Sequence, residues 1–518
     1  MIVSKLRKMG LIILVFIFGL QYFTSAQQNA TSHPNIIVFL VDDMGWQDTS
    51  VPFWDSITAA NKKFHTPNME RLAAQSMKFS QAYANSICTP TRVSLMTGMN
   101  AAHHKVTNWT MYKNKAVDPK DAVLIEPDWN VNGLSPVKGV PHTVYATTLF
   151  QVLQSHGYYT IHCGKAHFGA YQTPGANPEN LGADVNIAGS AAGNPASYLG
   201  IKDYGNVSGK FKLKAIKGLK QYWDTPTFLS KALTLEAMKA MDTARMNHKP
   251  FFLYMAHYAV HLPYNPDPRY IDKYLKQGLN KSEAAYAALI EGMDASLGTL
   301  MDYLDKNGLT KNTVIIFMSD NGGLSHPPRT DKMDTQNYPL RYGKGSLYEG
   351  GIREPMMVRW PGVTKAGSVA NQYVAVWDFF PTILQIAGIQ KYKTIQKVDG
   401  KSFVPVLKNP DYSDTDRTLI WHFPDNWGGD QGVSGYAWTS AIRKGNWKLI
   451  YLQKQGELRL YNLKDDIKEQ HNLAKRYPDK VKAMAHLLTK KLKKANAQMP
   501  IIKATGKKVP WPTEVLKQ

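Results

Sequence analysis

The chain has 518 residues, 43% of them hydrophobic, 20% charged and two of them cysteine, enough for a large core and two structural domains and not the composition of a disordered protein. Lys and Arg total 62 against 40 Asp and Glu, and the net charge of +22 favours polyanionic partners. No nucleic-acid motif accompanies that charge, and part of it is a solvated C-terminal face (Lys490, Lys491, Lys493, Lys494, Lys507, Lys508).

Lys5, Arg7 and Lys8 precede the apolar run Leu11 to Leu20, and Thr24-Ser25-Ala26 forms a small-residue cleavage site. This predicts a signal peptide over 1–26 and an exported protein, periplasmic or secreted. The apolar run is short for a stable membrane span, and no cysteine near the cut indicates a lipoprotein anchor.

Asn35 to Val41 is continuously apolar and β-branched, the pattern of a strand buried on both faces, and it ends in Asp42-Asp43. Adjacent carboxylates at such a strand's end repel unless a cation neutralises them, and ligands of open α/β sheets gather at that edge. A hard-metal site is the reading preferred over a pair of solvated loop acids. Thr66-Pro67 opens a helix, and a short strand leads to Cys88-Thr89-Pro90-Thr91-Arg92. There Thr89 is expected to N-cap a helix that Gly98 ends, leaving Cys88 in the positive field at its mouth. A small buried residue, or a disulfide with Cys163, are the plainer readings of that cysteine.

Ala146 to Ser155 reads as a helix and Tyr158 to Cys163 as a strand running into Gly164-Lys165-Ala166-His167. Residues 170–225 carry little periodicity and are expected to be loops shaping a pocket. Leu229 to Met246 is an amphipathic helix, Pro250 to Ala256 a buried strand delivering His257 and His261, and Ser282 to Leu304 a long helix. Thr313 to Met318 is a further core strand, ending in Ser319-Asp320-Asn321-Gly322. A glycine-rich stretch holds Gly343-Lys344 and Tyr348-Glu349-Gly350-Gly351, followed by a strand over Met356 to Trp360 and a helix over Asp378 to Ala387. The alternation predicts an α/β fold: a large doubly wound, mostly parallel sheet flanked by helices. Four strand ends that each carry polar residues suggest one site along one sheet edge. Past about residue 410, short strands at Tyr436 to Arg443, Trp447 to Leu452 and Leu458 to Leu463, then a helix from Pro478 to Ala495, predict a smaller α+β subdomain with an antiparallel sheet. The expected division is a signal peptide at 1–26, a catalytic domain at 27–410 and a C-terminal subdomain with a basic tail at 411–518.

Taken together, the Cys-x-Pro-x-Arg string followed by Leu95-Met96-Thr97-Gly98, with the strings at Asp42-Asp43, Gly164-Lys165 and His167, Val260-His261-Leu262-Pro263, Ser319-Asp320-Asn321-Gly322 and Gly343-Lys344, resembles the formylglycine-dependent (type I) sulfatases of the alkaline phosphatase superfamily. The resemblance runs from Asn35 to about Leu473. It implies that Cys88 is converted to 3-oxoalanine (formylglycine) by a formylglycine-generating or anaerobic sulfatase-maturating enzyme. It also implies that Asp42, Asp43, Asp320, Asn321 and the side chain at Cys88 bind a divalent cation, Ca²⁺ in most of the family, with Mg²⁺ the alternative. Arg92 would hold the formylglycine, Lys165 and Lys344 would grip sulfate oxygens, His167 would sit on the aldehyde hydrate and His261 on the leaving oxygen. Thr91, Ala166 and Val260 depart from common family residues without removing a reacting group, and His257 is retained as a pocket residue only.

The implied activity is sulfuric ester hydrolysis on a sulfated saccharide derived from a polysaccharide or glycosaminoglycan. The alternatives are a phosphatase or phosphonate monoester hydrolase of the same superfamily, and a sulfated-glycan-binding protein with a dead site. The loops at 170–225 and 322–342, with Trp421, His422 and Trp427, are expected to select the sugar.

Overall fold

A computed structural model describes residues 33–207, 212–327, 329, 336–427 and 436–516. The signal peptide expected at 1–26 lies outside the described residues. The principal sheet has nine strands: β1 (Asn35–Val41), β2 (Met77–Tyr83), β3 (Tyr159–Gly164), β4 (Val185–Ile187), β5 (Phe251–Ala256), β6 (Thr313–Ser319), β7 (Arg353–Arg359), β8 (Val369–Ala370) and β9 (Val374–Ala375). Their order is β8-β2-β7-β6-β1-β5-β3-β4, with β9 also on β2, and β7 alone runs antiparallel to its neighbours.

The continuous apolar run of β1 is explained by its two-sided burial. Ile36, Val38 and Leu40 enter one core, while Ile37, Phe39 and Val41 enter the other. The first core also takes in helices α1 (Cys88–Thr97) and α4 (Phe379–Ile386); the second takes in α2 (Leu229–Met246) and α3 (Lys281–Lys306). A four-stranded antiparallel sheet follows, β10 (Thr418–Phe423), β11 (Thr439–Lys444), β12 (Trp447–Leu452) and β13 (Glu457–Asn462), and α5 (Pro478–Lys494) buries Val481, Met484, Ala485, Leu488 and Leu492.

Two sequence expectations change here. Thr89 does not cap α1: Ile87 is the N-cap, with no side-chain bond, and the Thr89 hydroxyl accepts instead from the Thr110 N–H at 3.3 Å. Cys88 is therefore the first helical residue. Gly98 does end the helix, with φ +68, the left-handed conformation that glycine adopts without strain. Strand β10 was not expected, because its aromatic cluster resembled a pocket wall. It contains Trp421 and His422, both buried: the Trp421 indole donates to the Ala84 carbonyl at 2.8 Å, and His422 is held between Ser440 and the Gln498 carbonyl. Neither can select a sugar.

Strand register carries the site. Val41 faces Ser319, Leu40 faces Ala256, and Ala256 faces Gly164. The residues that follow, Asp42, Asp320, His257 and Lys165, thus emerge at one level of the sheet. β2 runs parallel to β6, two strands away across antiparallel β7, so its end at Tyr83 delivers the chain to Cys88 at the same edge.

Candidate active site

Asp42 and Asp43 continue β1, and Asp43 takes the left-handed conformation with φ +61. Asp320 and Asn321 continue β6, and the Asp320 N–H bonds the Val41 carbonyl at 2.9 Å. One carboxylate oxygen from each of Asp42, Asp43 and Asp320 lies within 4.8 Å of the others. Among the described residues Asp42 Oδ1 and Asn321 Oδ1 are buried without a hydrogen-bond partner, the Arg92 guanidinium standing 3.8 Å from the former. Buried acceptors of this kind cost free energy unless something positive meets them, and an all-oxygen donor set fits a hard divalent cation.

Three cations balance the three carboxylates. Arg92, one helical turn after Cys88 and wholly buried, donates from Nε and Nη2 to Asp320 Oδ2 at 3.0 and 2.7 Å, and from Nη1 to the Lys165 carbonyl at 2.7 Å. Lys165 Nζ donates to Asp42 Oδ2 at 2.6 Å, and Lys344 Nζ to both oxygens of Asp43 at 2.6 and 2.8 Å. Burial opposes ionisation of Asp43, but Lys344 and His261 outweigh it and hold the carboxyl below its ordinary range. Asp42 moves the other way, because burial and the Asp320 charge exceed what Lys165 returns.

Cys88 Sγ lies 3.4 Å from His167 Nδ1. The other ring nitrogen of His167 is 2.8 Å from the Thr110 carbonyl, which only accepts, so Nε2 carries the proton and Nδ1 faces the sulfur with its lone pair. Burial, then the Lys165 charge, holds His167 neutral. Burial also pushes the Cys88 thiol up against the pull of Lys165 and Lys344, so the unmodified thiol is a weak nucleophile at neutral pH. Both cysteines are free: the Cys163 sulfur contacts the Leu233 carbonyl at 3.3 Å.

His261 Nε2 stands 3.5 Å from Asp43 Oδ2, while its Nδ1 contacts the Leu262 carbonyl at 3.0 Å. Burial and Lys344 lower its pKa to about 3. The glycine-rich stretch is required by close backbone approach: a Cβ on Gly322 would stand 1.8 Å from the Gly350 carbonyl oxygen. It brings Lys344 in beside Trp427, whose ring centre is 5.9 Å from Nζ.

The structure thus gathers Asp42, Asp43, Cys88, Arg92, Lys165, His167, His261, Asp320, Asn321 and Lys344 around one centre. His257 is not among them: its Nε2 is 3.0 Å from the Ser296 hydroxyl on α3, its ring packs on Phe39, and it belongs to the core. Sequence reasoning missed a support beneath the Asp pair. Asp48 accepts from the Gly45 N–H at 3.0 Å, the Tyr286 hydroxyl at 2.7 Å and Arg329 at 2.8 Å, and Tyr286 also reaches the Asp43 carbonyl at 3.2 Å. A carboxylate three residues past a turn glycine was its one local signal.

The Sulfatase family profile matches residues 34–389, and the profile for the C-terminal region of N-sulphoglucosamine sulphohydrolase matches residues 340–498. A protein of Formosa agariphila named sulfatase is 30% identical over 98% of both chains. The structure of Ps i-CgsB is 26% identical with a TM-score of 0.70, covering 89% of this chain and 93% of that one. Ps i-CgsB was also solved in complex with k-i-k-neocarrahexaose, at 27% identity, a TM-score of 0.69 and the same coverage.

Proposed function

The chain belongs to the sulfatase family of the alkaline phosphatase superfamily and is a sulfatase, and from that premise we propose that it removes sulfate from a sulfated saccharide, an oligosaccharide derived from a polysaccharide or glycosaminoglycan. The neocarrahexaose bound by Ps i-CgsB supports that substrate class. The observation that carries the reading is the convergence of Asp42, Asp43 and Asp320 within 4.8 Å at the sheet edge that also receives Cys88 and two lysines.

A sulfate monoester is anionic, so it repels nucleophiles, and its alkoxide leaves poorly. In this proposal Cys88 is oxidised to formylglycine by a formylglycine-generating or anaerobic maturating enzyme, and its hydrate supplies both a hydroxyl nucleophile and an exit by C–O cleavage. Asp42, Asp43, Asp320 and Asn321 would hold Ca²⁺ or Mg²⁺, which when bound shields negative charge and acidifies a hydroxyl. Arg92 fixes Asp320 and, through the Lys165 carbonyl, the strand end that carries Lys165. Lys165 and Lys344 present ammonium groups to the ester's free oxygens. His167, with its Nδ1 lone pair toward position 88, takes a proton there. His261 would sit beside the departing oxygen with its own proton on Nδ1 toward the Leu262 carbonyl, so Lys344, held charged by Asp43, would supply the proton that oxygen takes, directly or through the free lone pair of His261 Nε2. The assignment of 27–410 as catalytic and 411–518 as a supporting subdomain is part of the same proposal.

The test is sulfate release from aryl sulfate and from a panel of sulfated oligosaccharides, with aryl phosphate alongside, using protein co-expressed with a maturation enzyme. Sulfate turnover should exceed phosphate turnover and should require aldehyde at position 88. Faster hydrolysis of the phosphate would reject the assignment.

A further inference from the structure

A second cleft lies apart from this centre, between the loop after the Asp pair, the β2 edge and the antiparallel sheet. Its cavity is about 410 Å³, within the roughly 300–1,000 Å³ of pockets that enclose small ligands, and none of the ten residues gathered at the sheet-edge centre lines it. Trp46, Phe53 and Trp54 supply aromatic wall; Lys78, Arg353, Arg443 and Lys464 supply positive charge; Asp55 is the one acid on the lining.

The buried charge beneath the cleft does not balance. Arg443 is 2% exposed, and among the described residues its guanidinium donates to neutral oxygens alone: the Gly445 carbonyl, the Tyr83 hydroxyl and the Gln81 amide oxygen. Glu349 already serves Lys448 at 2.8 Å, Arg353 at 3.4 Å and the Tyr83 hydroxyl at 2.6 Å. Burial opposes its ionisation, yet Lys448, Arg353 and Arg443 hold it down at about 2. Glu469, the other carboxyl on Lys448, is pushed up to about 7 by burial. Lys448 bridges both carboxylates and Arg353 pairs with Glu349, so three cations stand against two carboxylates and Arg443 has neither of them as a hydrogen-bond partner; a buried surplus of positive charge beside open space is stabilised by an anion. The Trp46 indole, 1% exposed, adds an N–H with no hydrogen-bond partner among the described residues, and the Arg353 guanidinium lies 4.4 Å from its ring centre.

Aromatic faces beside surplus cations and the amides of Asn371 and Asn446 suit a ligand with sugar rings and anionic substituents, not a bare anion. We propose that this cleft binds a second stretch of sulfated saccharide chain, away from the catalytic centre, and so holds a polymer while its terminus or a branch is processed. The proposal rests on the sulfated-saccharide reading above.

The probe is dextran sulfate in affinity gel electrophoresis, with neutral dextran and polyphosphate in parallel gels. Trp54→Ala combined with Lys464→Glu should weaken dextran sulfate binding about tenfold, the loss of one aromatic contact and one cation. Lys276→Glu, the same change of charge at an exposed position that does not line the cleft, should weaken it less than twofold. Trp54→Ala alone should weaken dextran sulfate but not polyphosphate, and all variants should keep wild-type kcat/KM on aryl sulfate within about twofold. Equal weakening by Lys276→Glu, indifference to Trp54→Ala, or no dextran sulfate binding by the wild type would overturn the proposal. Failure of the wild type to hydrolyse aryl sulfate would instead reject the catalytic reading, and the gel result would stand separately.

Discussion

Replacing Arg92 with Met tests how the buried carboxylates are tolerated. Met keeps an apolar stem but removes the guanidinium that lies 2.7 Å from Asp320 Oδ2 and 2.7 Å from the Lys165 carbonyl. Asp320 and Arg92 are both wholly buried, so water cannot replace the lost partner without a rearrangement of the core. Removing one partner of a buried pair costs about 3–5 kcal/mol, because the other charge stays behind uncompensated. The orphaned carbonyl adds about 1–3 kcal/mol. Arg92→Met should therefore destabilise the metal-free protein by about 4 kcal/mol or more, read as a lowered urea midpoint at constant slope. Adding Asp320→Asn to that variant should restore part of the loss, since no carboxylate then remains buried alone. Calcium should narrow the gap between Arg92→Met and wild type, because without the guanidinium Asp320 gives the cation an uncompensated carboxylate, so the variant binds it more tightly and gains more stability from it. A double variant as unstable as the single one, or a single-variant loss below about 1 kcal/mol, would refute the buried-charge argument.

Three further outcomes are expected. Cys88→Ser should lower aryl sulfate turnover on the order of a thousandfold or more and abolish labelling of position 88 by an aldehyde-reactive probe; full turnover by that variant would remove formylglycine from the mechanism. Chelation should stop turnover and lower the thermal midpoint, and calcium at a hundred times its dissociation constant should return about 2.7 kcal/mol of stability, checked by calorimetry. Glu349→Gln should cost about 3–5 kcal/mol near neutral pH, because Lys448 and Arg353 lose their buried carboxylate. Glu349 titrates lower in the folded protein than in the unfolded chain, so its contribution is present above the ordinary carboxylate range. It fades as pH falls toward about 2, and the wild-type and variant urea midpoints should converge there.

Much of the fold was readable because strands buried on both faces leave an unbroken apolar run. Thr313–Ser319 and Phe251–Ala256 stand where hydrophobicity alone placed them, and Leu229–Met246 has the bounds its periodicity predicted. Strand β10 escaped because His422 and Trp421 read as polar and aromatic pocket furniture, and only their partners, Ser440, the Gln498 carbonyl and the Ala84 carbonyl, reveal a core strand. His257 misled for a related reason: its neighbour in space is Ser296 on α3, 39 residues further along the chain.

By itself the sequence determined which residue types arrive at strand ends: paired acids after β1, a lysine and a histidine after β3, an acid and an amide after β6. It did so because burial periodicity and turn chemistry are local properties of the chain. Only the tertiary structure decided which of those groups meet, which nitrogen of His167 faces position 88, and that Arg443 and Arg353 share a cleft with Trp46. Those outcomes depend on strand register and on balancing charge across contacts hundreds of residues apart, neither of which any short stretch of sequence encodes.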